Sequence, residues 1–338
     1  MAKTPTPDER LMRRAIALSR RGFPAPNPHV GCVLVRDGEI VGEGYHHHAG
    51  APHAEAAALS VAGERARGAD AYVTLEPCNH FGRTPPCTDA LLRAGVRRVV
   101  AACPDPNPVA SGGLARLAEN GVATEIGLLQ QEAEAANFRF LSAMRMRRPH
   151  VTIKAAVSLD GRIALPSGES QWITGPAARR EGHRLRAECG AVLVGRRTVE
   201  MDDPQLTARI PGVVNQPLRI VLDPRGRLTG KERVFDAAAP TKHVTGPVDL
   251  NELLVELFND GVTSLLVEGG GTTIAGFVRS RLADAVELFL APKLLGDGPS
   301  WLNGLDLGNL AEAPSLEIDR IKRLGPDLRL SAHVRYRS

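Results

Sequence analysis

The feature that most restricts this chain is a divided set of metal-binding side chains: His53-Ala54-Glu55, then Pro77-Cys78, and finally Cys87. Residues two apart on a regular helix point about 200° away from each other, at ~100° per residue. His53 and Glu55 can therefore serve one site only from the first turn of a helix, where side chains converge on the incoming chain. Pro52, directly before His53, favours that placement. One imidazole and two thiolates suit zinc and leave a fourth tetrahedral position for water, as a catalytic site requires. Zinc brings the pKa of a bound water to roughly 7, and a carboxylate that is not itself a ligand can take that proton and return it to a leaving amine. The residues thus assign Zn2+ to His53, Cys78 and Cys87 and the proton transfer to Glu55, the pattern of zinc-dependent nucleobase deaminases. Taken singly, each has a plainer reading, as a core thiol or a helix-capping histidine.

The rest of the first half alternates as such a site needs. Residues 8–21 form an amphipathic helix through Leu11, Met12, Ala15, Ile16 and Leu18. Asp37-Gly38 joins strands at 30–35 and 39–45 as a hairpin. Helix 53–67, strand 71–75, helix 88–94, strand 96–102, helix 113–120 and strand 122–126 follow. That order predicts a mixed sheet covered by helices on both faces. The basic, proline-bearing stretch at 145–149 marks a restart, so domains are expected at 1–147 and 148–338. The second reads as α/β with a β-rich end. Its strands fall at 151–157, 191–194, 218–222, 264–267, 285–290 and 328–335, and its helices at 176–189, 250–259 and 272–281.

Charge and composition narrow the partners. The net charge of +4 is shared evenly between the halves, with no basic tail, and aromatic residues make up 4% of the chain. Both argue for a small-molecule substrate and against nucleic acid. No apolar run approaches a membrane span, and the first ten residues lack a signal core. Five cysteines, an odd number without an export signal, point to a reduced, cytoplasmic setting. The periodicity leaves a homo-oligomer open.

Between the cysteines stands Asn79-His80-Phe81-Gly82-Arg83-Thr84-Pro85-Pro86, where two residues are usual. This string resembles the deaminase half of the bifunctional riboflavin-biosynthesis proteins, the RibD family. So do Pro26-Asn27-Pro28-His29-Val30-Gly31-Cys32, Gly42-Glu43-Gly44-Tyr45-His46 and Asp105-Pro106-Asn107-Pro108. The resemblance implies an N-terminal cytidine-deaminase-like three-layer α/β/α domain. A phosphoribosyl-pyrimidine substrate needs donors at the pocket mouth, and His80 and Arg83 can supply them. Asn27 can bond the ribose or the base. Of His46-His47-His48, only His46 is taken as a substrate contact.

The second half carries the matching strings Lys154 to Arg162, Ser167 to Thr174, Thr198 to Arg209 and Val267-Glu268-Gly269-Gly270-Gly271. They resemble the reductase half of the same family and imply a dihydrofolate-reductase-like α/β domain using NADPH. The resemblance places cofactor contacts at Ala156, Trp172, Thr174, Thr198, Asp202, Gly269, Gly270 and Gly271. It places substrate contacts at Ser170, Arg186, Leu206, Arg209 and Glu268. Without the family, the three glycines before a helix form an amide nest suited to a pyrophosphate, and no Gly-x-Gly-x-x-Gly follows the domain's first strand. Arg186 and Arg209 read as phosphate clamps or as solvated arginines, and Trp172 as a nicotinamide neighbour or core filler. Lys154, Asp202 and Glu268 are candidates for substrate or proton contacts. Gly195-Arg196-Arg197 and Pro224 depart from the family pattern, and no cofactor contact is carried onto Pro224.

The expected activity is zinc-dependent deamination of 2,5-diamino-6-(5-phosphoribosylamino)pyrimidin-4(3H)-one. NADPH-dependent reduction of the ribosyl group of 5-amino-6-(5-phosphoribosylamino)uracil to ribityl would follow. A tRNA-editing adenosine deaminase with an appended domain would instead want a basic RNA face and the short cysteine spacing. A zinc-stabilised binding protein would want a fourth protein ligand.

Overall fold

Helix α1 (Pro7–Ser19) starts where its sequence can satisfy its own free amides. Thr6 accepts from the Glu9 N–H, the Glu9 carboxylate accepts from the Thr6 N–H, and Pro7 opens the first turn. The computed structural model describes residues 4–82 and 85–337 and divides into two units, Met1–Met146 and Arg147–Ser338.

In the first unit, α1 is followed by β1 (Gly31–Arg36), β2 (Glu39–Tyr45), α2 (Ala54–Ala62), β3 (Asp70–Val73), α3 (Cys87–Ala94) and β4 (Arg98–Ala101). Then come α4 (Gly113–Glu119), β5 (Ala123–Ile126), α5 (Gln130–Ala136) and α6 (Phe138–Met146). The strands form one mixed sheet in the order β2-β1-β3-β4-β5, antiparallel at its β2 end and parallel from β3 onward. Alternate strand residues feed two cores. Cys32, Leu34, Val73 and Val99 pack with Ala58 of α2, Leu91 of α3 and Leu117 of α4. Val33, Val35, Tyr72 and Val100 pack with Met12 and Ile16 of α1 and Ala133 of α5 on the other face. Helix α2 lies at backbone contact on β2, because a Cβ on Gly44 would stand 2.3 Å from the Ala54 carbonyl oxygen. Helices α5 and α6 are additional to the sequence reading.

The second unit holds β6 (His150–Ser158), α7 (Pro176–Glu188), β7 (Ala191–Gly195), α8 (Arg196–Asp202), β8 (Leu218–Asp223), β9 (Thr241–Thr245) and α9 (Leu250–Asn259). It ends with β10 (Ser264–Val267), α10 (Gly271–Arg279), β11 (Ala285–Ala291), β12 (Ser315–Leu324) and β13 (Asp327–Arg335). These build an eight-stranded sheet in the order β12-β13-β11-β6-β10-β7-β8-β9, parallel from β11 to β9, with β13 and β12 antiparallel at one edge. Leu254 and Phe277, from α9 and α10, cover one face, and Leu185 and Val199, from α7 and α8, cover the other. The short elements α8 and β9 and the exposed edge strand β12 are the parts that periodicity did not predict. Among the described residues, no helix is long and apolar enough to cross a membrane.

Candidate active site

His53 is the N-cap of α2, in extended conformation, and Glu55 lies in the first turn. This is the geometry in which residues two apart converge. The strand end beyond β3 delivers Cys78, and Cys87 opens α3. His53 Nδ1 lies 3.3 Å from Cys87 Sγ and 3.6 Å from Cys78 Sγ, and all three ligand atoms fall within 4.8 Å of one another. Zn–N of about 2.0 Å and Zn–S of about 2.3 Å in a tetrahedron require N···S edges of roughly 3.6 Å. The three side chains therefore fit zinc.

The electrostatics agree. A hydrogen bond from Cys87 holds the Cys78 thiol well below its ordinary value and pushes that of Cys87 up, so one thiolate is already favoured. Glu55 is 3% exposed, and burial, reinforced by Cys78, raises its pKa to about 7. A carboxyl group so poised exchanges a proton readily near neutrality.

Asn27 and His46 meet: Asn27 Nδ2 donates to His46 Nε2 at 3.0 Å, and His46 Nδ1 donates to the Pro52 carbonyl at 3.1 Å. That pair of bonds fixes the neutral tautomer, and burial lowers the His46 pKa accordingly. The imidazole also packs edge-on to His53, with centroids 5.3 Å apart. The turn bearing Asn27 is tied down by Asn137, whose amide accepts from the His29 N–H and donates to the His29 carbonyl, both at 2.7 Å. His80 turns a buried Nδ1 that meets no hydrogen-bond partner among the described residues. Arg83 lies outside the described residues. Asp105, of the Asp105-Pro106-Asn107-Pro108 string, is also near the site; burial brings its pKa up to about 6, with Glu76 and Cys78 adding to the rise.

In the second unit Thr198 follows β7 and Glu268 to Gly271 follow β10, at the carboxyl ends of neighbouring parallel strands, where open α/β sheets bind ligands. Gly270 caps α10, and its N–H donates to Thr198 Oγ1 at 3.1 Å. A Cβ on Gly269 would come within 2.7 Å of Thr273, so only glycine lets the chain pass there. A glycine-lined helix start of this kind, with the Gly270 amide turned to Thr198, is a setting in which pyrophosphates bind. Ser170 Oγ donates to Asp202 at 2.8 Å. Arg186 is not solvated: it grips Glu268 through Nε at 2.6 Å and a second nitrogen at 2.9 Å, while Lys154 Nζ reaches the same carboxylate at 3.4 Å. Arg186 and Arg209 both bond Thr207, beside the buried Leu206. His183, one turn before Arg186 and unmentioned in the sequence reading, also meets the Thr207 carbonyl, at 3.1 Å. Ala156 sits within β6 opposite Phe289, and the Thr174 carbonyl accepts from Arg179. Trp172 does not fill core; it is 61% exposed, with the Arg179 guanidinium 4.6 Å over its ring.

Comparison with known proteins matches both units. The cytidine and deoxycytidylate deaminase zinc-binding region matches residues 5–103, and the RibD C-terminal domain matches residues 149–330. The chain is 44% identical to riboflavin biosynthesis protein RibD of Escherichia coli strain K12, over 95% of this chain and 98% of that one. It is 41% identical to that of Aquifex aeolicus, over 95% and 97%. Among solved structures, it is similar to Acinetobacter baumannii RibD, with TM-score 0.91 at 40% identity over 97% and 99% of the chains. A diaminohydroxyphosphoribosylaminopyrimidine deaminase/5-amino-6-(5-phosphoribosylamino)uracil reductase of Thermotoga maritima gives TM-score 0.88 at 35% identity over the same shares.

Proposed function

The chain belongs to the RibD family, and from that premise we propose which residues carry its two reactions. It is a bifunctional deaminase and reductase of riboflavin biosynthesis, with a cytidine-deaminase-like α/β/α domain, a dihydrofolate-reductase-like α/β domain, and Zn2+ and NADPH as cofactors. A tRNA-editing enzyme with an appended domain would leave the second family match unexplained. We place the boundary between 147 and 148.

In the deaminase, His53, Cys78 and Cys87 hold the metal. Bound zinc supplies a Lewis acid that brings water to a pKa of roughly 7. Glu55 takes the proton of the attacking water and returns it to the departing exocyclic amine. His46, locked neutral between Asn27 and Pro52, presents Asn27 to the pyrimidine or its ribose. His80, whose Nδ1 has no partner among the described residues, and Arg83 meet the phosphoribosyl end. The single observation that carries this reading is Glu55 buried in the first turn of α2 behind His53.

In the reductase, NADPH supplies the hydride. Gly269, Gly270 and Gly271 with Thr198 hold its pyrophosphate, and Ala156, Trp172, Thr174 and Asp202 border the rest. Ser170, Arg186, Leu206, Arg209 and Glu268 hold the phosphorylated substrate. Arg209 supports this assignment: its neighbouring charges are the cations Arg186 and Arg233, an arrangement that attracts a phosphate. We further propose a cytoplasmic, homo-oligomeric enzyme with no nucleic-acid partner. No disulfide joins the described cysteines, and β12 with β13 leaves Leu316, Ile318, Ile321 and Leu328 on an exposed sheet edge.

Glu55→Gln tests the deaminase assignment. It should retain zinc and reduce the deaminated intermediate normally while releasing no ammonia; retained deamination would refute the role.

A further inference from the structure

We propose that Arg116 of α4 is a positioning residue that sets the spacing of the two zinc thiolates, acting through Asp89 and through Asn79, whose side-chain oxygen Thr88 also bonds. The proposal rests on the assignment of Cys78 and Cys87 as ligands and adds what holds them.

A loop of eight residues separates the two cysteines, and a glycine- and proline-bearing loop of that length does not by itself hold two sulfur atoms to a fixed separation. The structure pins the two arms directly behind the ligands. Asn79 follows Cys78 and Thr88 follows Cys87, and Thr88 Oγ1 donates to Asn79 Oδ1 at 3.2 Å. The Thr88 N–H donates to the Cys78 carbonyl at 3.3 Å, and the Cys87 N–H points to Cys78 Sγ at 3.4 Å. Thr88 is wholly buried, which keeps water from its own N–H and hydroxyl.

Arg116 closes the arrangement from a different element. One guanidinium nitrogen donates to the same Asn79 Oδ1 at 2.9 Å, and another donates to Asp89 of α3 at 2.6 Å. One planar fork therefore spans both ligand arms. The Asn79 N–H is also bound, by the Ala110 carbonyl at 3.0 Å. The first turn of α4 is seated on the Cys78 arm as well. A Cβ on Gly113 would stand 1.8 Å from the Pro77 carbonyl oxygen, and the Leu114 N–H donates to Glu76 at 3.1 Å. With five donors in a rigid plane, arginine can bridge the two arms where lysine offers a single point of attachment.

Partners behind metal ligands typically change metal affinity by about 10–100-fold. The test is the rate at which the zinc-loaded full-length protein loses metal to an excess of a coloured chelator. Arg116→Gln and Asn79→Ala should each speed zinc loss about tenfold, and the double variant should lose zinc no faster than the quicker single variant, because both break one linkage. Arg116→Lys should recover part of the retention. Thr88→Val, which keeps the side chain's shape and removes only its hydroxyl, should act in the same direction and carries the test if Arg116→Gln does not fold. Unchanged zinc loss in Arg116→Gln or Thr88→Val, or multiplying effects in the double variant, would overturn the proposal. Cys87→Ser separates the two levels: if it keeps zinc as the parent does, the ligand assignment itself falls, and this inference with it.

Discussion

Replacing Glu268 by glutamine should destabilise the second unit by about as much as any single polar change can. The carboxylate is 7% exposed and receives two nitrogens of Arg186 and the ammonium of Lys154. Burial alone would raise its pKa; Arg186 and then Lys154 more than reverse this and bring it from an ordinary 4.5 to about 2. At about 1.36 kcal/mol per pKa unit, the fold favours the charged form by roughly 3 kcal/mol. Glu268→Gln preserves the shape and removes the charge, leaving the buried Arg186 uncompensated. Breaking one side of a buried pair costs roughly 3–5 kcal/mol by an independent route. For a unit of this size, at about 2–4 °C per kcal/mol, the second unit's transition should fall by about 10 °C. Calorimetry of the full-length, zinc-saturated protein without ligands would follow it beside the first unit's transition, which should stay in place. The apolar double replacement Arg186→Met with Glu268→Leu should restore most of the loss. A fall of less than about 2 °C in Glu268→Gln, on the same scale, would mean that the pair is worth no more than a surface bridge and would refute the reasoning.

The same carboxylate sets an acid limit. Its folded pKa is depressed, so its contribution is complete above the unfolded value of 4.5 and fades as the pH falls towards about 2. Urea unfolding at pH 6 and at pH 3 should show a larger acid loss in the parent than in Glu268→Gln, and equal losses would contradict it. Gly44→Ala should push α2 off β2, since its Cβ would lie 2.3 Å from the Ala54 carbonyl. The expected cost is about 1–3 kcal/mol, with weaker zinc binding because His53 moves with the helix. Unfolding curves and zinc titration together check this, and a variant unchanged in both would exclude the close contact.

Much of the deaminase site could be read in advance because its chemistry is compressed into neighbouring positions. The spacing of His53 and Glu55 demanded a first-turn placement, and the structure has it. The parts that escaped have physical reasons. Helix α5, Gln-Gln-Glu-Ala-Glu-Ala-Ala, buries only Ala133, so its apolar period is too faint to register. Strand β12 does alternate at Leu316 and Ile318, but a register shift between Ile318 and Arg320 breaks the parity. The link from Asn79 to Arg116 joins residues of ordinary polar type from distant positions, and only the packing of α4 brings them together. In the reductase half, glycines and arginines are too common to signal alone, and the ion pair between Arg186 and Glu268 joins residues that no local spacing connects.

The tie between Asn137 and His29 also bears on how such enzymes can be taken apart. The first sheet is complete at Ile126, and by then the chain has supplied every proposed zinc ligand and the general base. Yet His29, two residues beyond Asn27, has both its N–H and its carbonyl bonded by a side chain between α5 and α6. A gene fragment ending with the last strand would encode the metal chemistry without the brace for substrate recognition. The transplantable module of deamination is the sheet together with its helical tail, and recombination between relatives should fall beyond α6, at the proposed boundary.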